Sequence, residues 1–263
     1  MNRFTLFRIS LIAAVLVLLA SCSTKKDRWI NRAYHNVNSK FNGYYNADLA
    51  YKEGVEKIET SHDENFRELL PIFIYPTEKT APTVYSQMDK AIKKTSKVID
   101  RHSMRHGGKE KVKWIDASYM IMGKSYFYKR EFTESEEVFV YINKAYQGTE
   151  SMYEASLWKC KIHLEREEFF EANDLLERME NNRKFPFALR SNLYATYATF
   201  HIMKEDYEEA AKKMKEAIKY LDPKKEKERK IRYHFILAQL YQMNPEKSYE
   251  ADVQYKMVIS LHP

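Results

Sequence analysis

The feature that most limits what this chain can fold into is a weak self-similarity in its second half. Residues of like size and chemistry return with a period near 34 to 41 residues. A first unit carries Tyr119, Met122-Gly123, Tyr126, Ser135 and Phe139, and a second carries Trp158, Cys160, Ala172 and Leu176. A third runs from Tyr194 through Ala198, Ala210, Met214 and Ala217 to Pro223. The fourth holds Leu237-Ala238, Tyr241, Ala251 and Tyr255 and closes at Pro263. In each unit one small residue (Gly123, Cys160, Ala198, Ala238) falls where a first helix would cross its partner. A second small residue (Ser135, Ala172, Ala210, Ala251) answers it from the following helix. A period of this size marks stacked helix pairs, because no single pair can bury its apolar face without neighbours.

The order of residue types is that of the tetratricopeptide repeat. Asp206-Tyr207-Glu208-Glu209-Ala210-Ala211 is its clearest turn into a second helix. The expected fold is therefore all-α, a tetratricopeptide-repeat (TPR) helical solenoid of about four repeats over 113–263. Val253, Met257, Val258 and Leu261 are too apolar for a solvated end, so either the array is expected to continue in a longer chain or a partner is expected to cover this end. Six Gly and seven Pro in 263 residues, with 44% hydrophobic residues, leave little for a turn-rich β protein.

An atypical N-terminal helical segment, 29–112, precedes the repeats. Ile30, Tyr34, Val37, Phe41 and Tyr44 recur at helical spacing, as do Tyr51, Val55 and Ile58, with a turn expected at Gly43. Pro71, Pro76 and Pro82 bracket Ile72-Phe73-Ile74-Tyr75 and predict an extended crossing over 71–82, since proline turns the residue before it away from helix. A helix from Thr83 to Met104 should follow, with Val84, Met88, Ile92 and Ile99 inward, ending at Gly107-Gly108.

The first residues address the chain. Arg3 and Arg8 precede an apolar run from Ile9 to Ala20. Twelve residues of helix reach about 18 Å, well short of a hydrocarbon core of roughly 30 Å, so 1–21 reads as a signal peptide. Leu19-Ala20-Ser21-Cys22 matches the bacterial lipobox. In that reading Cys22 takes a diacylglycerol on sulfur, the chain is cut before it, and the new amine is acylated. The alternative is a plain secretory peptide with an incidental cysteine. Several acyl chains together anchor firmly where one would not, and 22–28 becomes a lipidated tether. Removing 1–21 lowers the net charge from +7 to +5, with no dominant polybasic tract, so nucleic acid is not implied. Cys160 is then the one remaining free thiol, and no intramolecular disulfide can form.

The stretch Tyr34-His35-Asn36-Val37-Asn38-Ser39-Lys40-Phe41-Asn42-Gly43-Tyr44-Tyr45-Asn46-Ala47, with Leu70-Pro71-Ile72-Phe73 and Tyr75-Pro76 after it, resembles the SprE/PorW lipoproteins of Bacteroidota, which belong to type IX secretion and gliding motility. The resemblance covers roughly Cys22 to Tyr75. It implies an outer-membrane-anchored, periplasmic tetratricopeptide protein contacting the translocon and the ring-forming periplasmic components. Ser23-Thr24-Lys25-Lys26 lacks the acidic run that some Bacteroidota use for surface export, which favours a periplasm-facing protein.

No catalytic constellation is legible, and neither an enzyme nor a cofactor is expected. Cys160-x-x-His163 has no second pair to close a tetrahedral metal shell. His102 and His106 lack the Glu that a metalloprotease helix needs, and at a helix C-terminus they favour the dipole. Glu165, Glu167 and Glu168 read as a solvated turn, Lys224 to Arg232 as an exposed linker of mixed sign, and no glycine-rich phosphate loop occurs.

What remains is surface. First helices of successive repeats line the concave side of such a solenoid. The expected groove positions are Met120, Lys124, Phe127 and Tyr128; Leu157, Lys161 and Leu164; and Asn192, Thr199, Ile202, Met203, Arg232 and Gln239. Apolar groups with amides and a few cations suit an extended peptide or a partner helix. A second candidate is the aromatic N-terminal segment around Trp29, Tyr34 and Tyr45, most of which is expected in the core. The function expected is an outer-membrane, lipid-anchored scaffold of type IX secretion. The alternatives are a barrel-assembly helper lipoprotein with the same repeats, or a glycan-binding lipoprotein of the SusD type, which would want paired exposed Trp.

Overall fold

The computed structural model describes residues 26–222 and 224–261. The signal peptide, Cys22, Pro223 and Pro263 lie outside the described residues. The elements are α1 (Trp29–Ser39), a π-helical turn (Lys40–Tyr44), α2 (Tyr45–Ser61), α3 (Tyr85–His102), and a two-residue hairpin of β1 (Arg105–His106) and β2 (Lys109–Glu110). The repeats follow as α4 (Ile115–Tyr128), α5 (Phe132–Ala145), α6 (Glu150–Glu165), α7 (Phe169–Glu180), α8 (Arg190–Met203), α9 (Tyr207–Lys219), α10 (Lys227–Gln242) and α11 (Ser248–Leu261). Each helix packs on the next, and α2, α4, α6 and α8 also touch one another in series, forming an inner layer. That is the tetratricopeptide solenoid.

Its register rests on small residues. A side chain at Gly123 would meet the Phe139 ring at 2.7 Å, and Ser135 Oγ donates to the Gly123 carbonyl at 2.8 Å. Cys160 Sγ meets the Ala172 carbonyl at 3.6 Å in the next pair. Ala198, Ala210, Ala238 and Ala251 are buried at their own crossings. The turn inside each of the first three pairs recurs as well. Arg130, Glu167 and Glu205 all have left-handed backbone, with φ of 61°, 59° and 58°. Behind each, the third residue past the helix donates back five positions: Glu131 N to Tyr126 O, Glu168 N to His163 O, and Asp206 N to His201 O. This is a Schellman closure made without glycine. Asp206 then caps α9 by accepting from Glu209 N at 3.2 Å.

The N-terminal region departs from expectation in an informative way. Gly43 makes no turn between helices; the chain stays helical from Trp29 to Ser61 through the π turn. Gly43 is needed because Val98 of α3 lies where its Cβ would be, 2.0 Å away, and Gly54 likewise faces Met88 Cε at 2.4 Å. The buried face is built from Ser39, Gly43, Ala47, Ala50 and Gly54. The helices approach through small residues, and the large ones at helical spacing point the other way. Ile30, Tyr34, Val37 and Phe41 are exposed, while Tyr44 is half-buried against Trp114, 4.9 Å between ring centroids. Helix α3 ends at His102, before the expected place, and Gly107-Gly108 form the turn of the small hairpin at φ of 59° and 75°. His102 faces His35 of α1, 2.9 Å between Nδ1 atoms, whereas His106 sits in β1, so the two do not share a helix face.

Candidate interaction surfaces

The concave side of the array is filled by the chain itself. From His62 to Val84 the backbone leaves α2, reaches α10 and returns along the groove to α3. Glu64 pairs with Arg232, and Phe66 meets Phe235 edge-on at 5.6 Å. Gln239, buried in α10, accepts from Leu70 N at 3.0 Å and donates to the Glu68 carbonyl at 2.6 Å. Arg232 donates to the Pro71 carbonyl at 2.6 Å. Leu70 and Ile72 join the apolar cluster of α8, α9 and α10. Further back, Tyr75 packs on Phe127 at 4.8 Å, on Tyr128 at 6.2 Å and on Trp158 at 6.3 Å between centroids. Arg130, the left-handed residue of the first turn, donates from Nη1 to the Pro76 carbonyl at 3.1 Å and pairs with Glu165 at 2.8 Å. A segment without helix or strand lying in the groove of a helix array takes the place of a bound peptide; here the occupant is residues 64–76.

Lys161 sits under this strap. Its ammonium is 3.9 Å from the centre of the Phe73 ring, 4.7 Å from Trp158 and 5.8 Å from Tyr75. No carboxylate pairs with it among the described residues. Burial, with Lys124 and Arg229 adding repulsion, pushes its pKa down to about 7, while the three rings offer the cation their negative faces.

The groove expected to be open is therefore closed. Phe127, Tyr128, Lys161, Leu164, Thr199, Ile202, Met203, Arg232 and Gln239 do converge on one channel, but the strap covers most of them. A cavity of about 330 Å³ remains between Leu69–Phe73 and α6 and α8. Met120 and Leu157 are not groove residues; each lies in the apolar packing between neighbouring helices. Lys124 is engaged with Glu154 at 2.5 Å, and Asn192 stands in the first turn of α8. The spacing rule located the face but not its occupant. The signal for the occupant was present in Leu70-Pro71-Ile72-Phe73-Ile74-Tyr75-Pro76, an apolar run that proline keeps out of both helix and central strand.

Cys160 is buried, and its thiol is pushed up to about 12 by that burial, as a packing cysteine should be. His163 bonds Glu168 at 2.6 Å across the turn rather than forming half of a metal site, and Glu165 belongs to Arg130. Among the described residues no group of three or more metal-ligating side chains occurs, and no helix is long and apolar enough to cross a membrane.

An uncovered apolar surface runs along the outer face of α1 and α2. Ile30, Tyr34, Val37, Phe41, Tyr45 and Leu49, with Trp29 at the head, are 43–76% exposed. Five helical turns separate Ile30 from Leu49, at nineteen residues; an α-helix turns five times in about eighteen. The π turn at Lys40–Tyr44 takes up the extra residue and keeps the row on one side. Trp29, Tyr34 and Tyr45, expected mostly in the core, stand in solvent.

No family model matches the chain, and no curated protein matches it. Among solved structures it is similar to the MamA RS-1 ArsTM double mutant, at 15% identity and a TM-score of 0.44, over 70% of this chain and 93% of that one. It is also similar to a Podosopora anserina protein of nearly identical TPR-like repeats, described as a kinesin light chain, at 13% identity and a TM-score of 0.42, over 82% and 95% of the two chains. The fold assignment rests on the helix pairs and recurrent turns above, not on these likenesses. The chain is a helical-repeat protein of the tetratricopeptide type.

Proposed function

We propose that this protein is an outer-membrane lipoprotein of type IX secretion, anchored through acylated Cys22, facing the periplasm and holding translocon and ring components together without chemistry of its own. The observation that carries the reading is the fate of Tyr34–Ala47, the stretch that resembles the SprE/PorW lipoproteins. Its large residues are not consumed by the core; Tyr34, Val37, Phe41 and Tyr45 are exposed on a rigid helix that begins shortly after the lipidation site. Such a segment serves contacts outside the chain. The closed groove adds to this, because an array whose concave side holds its own strap presents its convex helices and edges to partners.

Affinity purification from solubilised membranes tests the proposal. Co-purification with the type IX translocon or its periplasmic ring proteins is the expected result. Recovery with barrel-assembly machinery, or with a TonB-dependent transporter as a SusD-type protein would give, would replace it.

A further inference from the structure

We infer that the aromatic row of α1 and α2 is a bilayer-docking face that lays this double helix flat on the leaflet carrying the lipid anchor. The inference rests on the lipidation of Cys22 proposed above.

Geometry carries it first. The Lys26 carbonyl is folded back on the first turn of α1, accepting from Arg28 N at 2.7 Å and from Asn31 Nδ2 at 2.9 Å. Residues 22–25 are then all the sequence between the acylated position and this turn. Four residues reach at most about 14 Å even when fully extended. The start of α1 is therefore held close to the membrane surface. From there the apolar row runs about 30 Å along the helix, the length of twenty residues at 1.5 Å each. A helix standing upright would leave that row in water; one lying in the plane buries all of it.

Composition carries it further. Between Asp27 and Asp48 there is no acidic residue; Arg28 is exposed just ahead of α1 and Lys40 flanks the row, while Arg32 is paired with Asp27 at 2.5 Å. Trp and Tyr favour the boundary between headgroups and acyl chains, where the ring is dry and its polar end wet. Cations beside an apolar helix face add attraction to anionic lipid. The opposite face is committed to α3 through small residues at van der Waals distance, so the row cannot turn inward without unpacking Gly43 from Val98.

The test supplies the tether chemically, so that its result does not depend on whether cells lipidate the chain. Protein beginning at Cys22 is coupled through that thiol to maleimide-headgroup lipid in vesicles of three parts zwitterionic to one part anionic phospholipid, with brominated acyl chains. Cys160 is buried with its thiol pushed up to about 12, and does not compete. Trp29 emission should shift to the blue and be quenched, and most of the quenching should be lost in Trp29→Phe, because Trp158 is buried and Trp114 is half-buried against Tyr44. Tyr34→Ser with Phe41→Ser should lower the docked-to-free ratio about tenfold, since two aromatic side chains are withdrawn from the interface. Their melting temperature should not change. Trp29 emission that stays unquenched on tethered vesicles overturns the inference. So does a dimer in vesicle-free solution that the double substitution abolishes, or a photo-crosslinker at Phe41 that joins a protein rather than lipid in the intact envelope.

Discussion

Gln239→Ala is the sharpest probe of the closed groove. Gln239 is buried in α10 and holds the strap by two opposite bonds, accepting from Leu70 N at 3.0 Å and donating to Glu68 O at 2.6 Å. Removing the amide leaves the Leu70 N–H without a partner in a buried place, which costs about 1–3 kcal/mol, and forfeits the second bond at about 1 kcal/mol net. Together with the volume lost, roughly 2–4 kcal/mol of stability should go. For a chain of this size that is a fall of roughly 5–10 °C in melting temperature. The strap, no longer pinned at that end, should also become the first site of limited proteolysis, with new cuts between residues 62 and 70. Gln239→Leu separates packing from hydrogen bonding, because it refills the space and still strands Leu70. Urea unfolding of both variants is the assay. If Gln239→Leu is as stable as the parent and the strap stays protected, the bonds do not hold it and the reasoning fails.

Four further outcomes follow from other parts of the structure. Lys161, with its folded pKa lowered from 10.5 to about 7, binds fewer protons folded than unfolded between those values, so its contribution makes stability rise with pH across that window. Lys161→Met should flatten the rise and add about 1–3 kcal/mol at pH 7, after the loss of cation–π attraction is set against relief of burial; parallel pH–stability curves for the two proteins would contradict this. Gly43→Leu should separate α1 and α2 from α3 and lower stability by more than Gly107→Ala, which meets nothing within 4 Å; equal melting points would refute the close approach. Gly123→Leu or Ala210→Leu should destabilise by about 1–3 kcal/mol through overpacking, and unchanged thermal unfolding in both would count against the repeat register. Cys22→Ala should release the protein from membranes with its helical circular dichroism intact, and retention after a high-salt wash would show that the lipid is not the main anchor.

The repeats were legible because their crossings demand small residues at fixed intervals, and Gly123, Cys160, Ala198 and Ala238 stand at those crossings. The same logic failed in α1 and α2, where the eye followed the large residues. Periodicity identifies a helix and its two faces; it does not say which face is buried. There the small face won, since Gly43 and Gly54 allow α3 to come closer than any aromatic could. The groove positions were found from repeat alignment, yet their occupant was not. The strap joins residues that are distant in sequence, and no local pattern reports such a contact. Nor did composition disclose the left-handed turns at Arg130, Glu167 and Glu205, because glycine, the usual marker, is absent from all three.

The strap also sets an order on how the chain can be made. Leu70 meets Gln239 across 169 positions of sequence, so the partner does not exist when the strap leaves the ribosome. At 5–20 residues per second, roughly ten to thirty seconds pass before α10 is complete. Through that interval an apolar, β-prone run is uncovered in a growing chain, the condition under which strands of different molecules pair. Pro71 and Pro76 stand at its two ends and remove the backbone donors that such pairing needs. The prolines that shape the strap in its groove are thus also what keeps a nascent chain from joining its neighbours, and α10, a helix synthesised long after the strap, is what finally locks it.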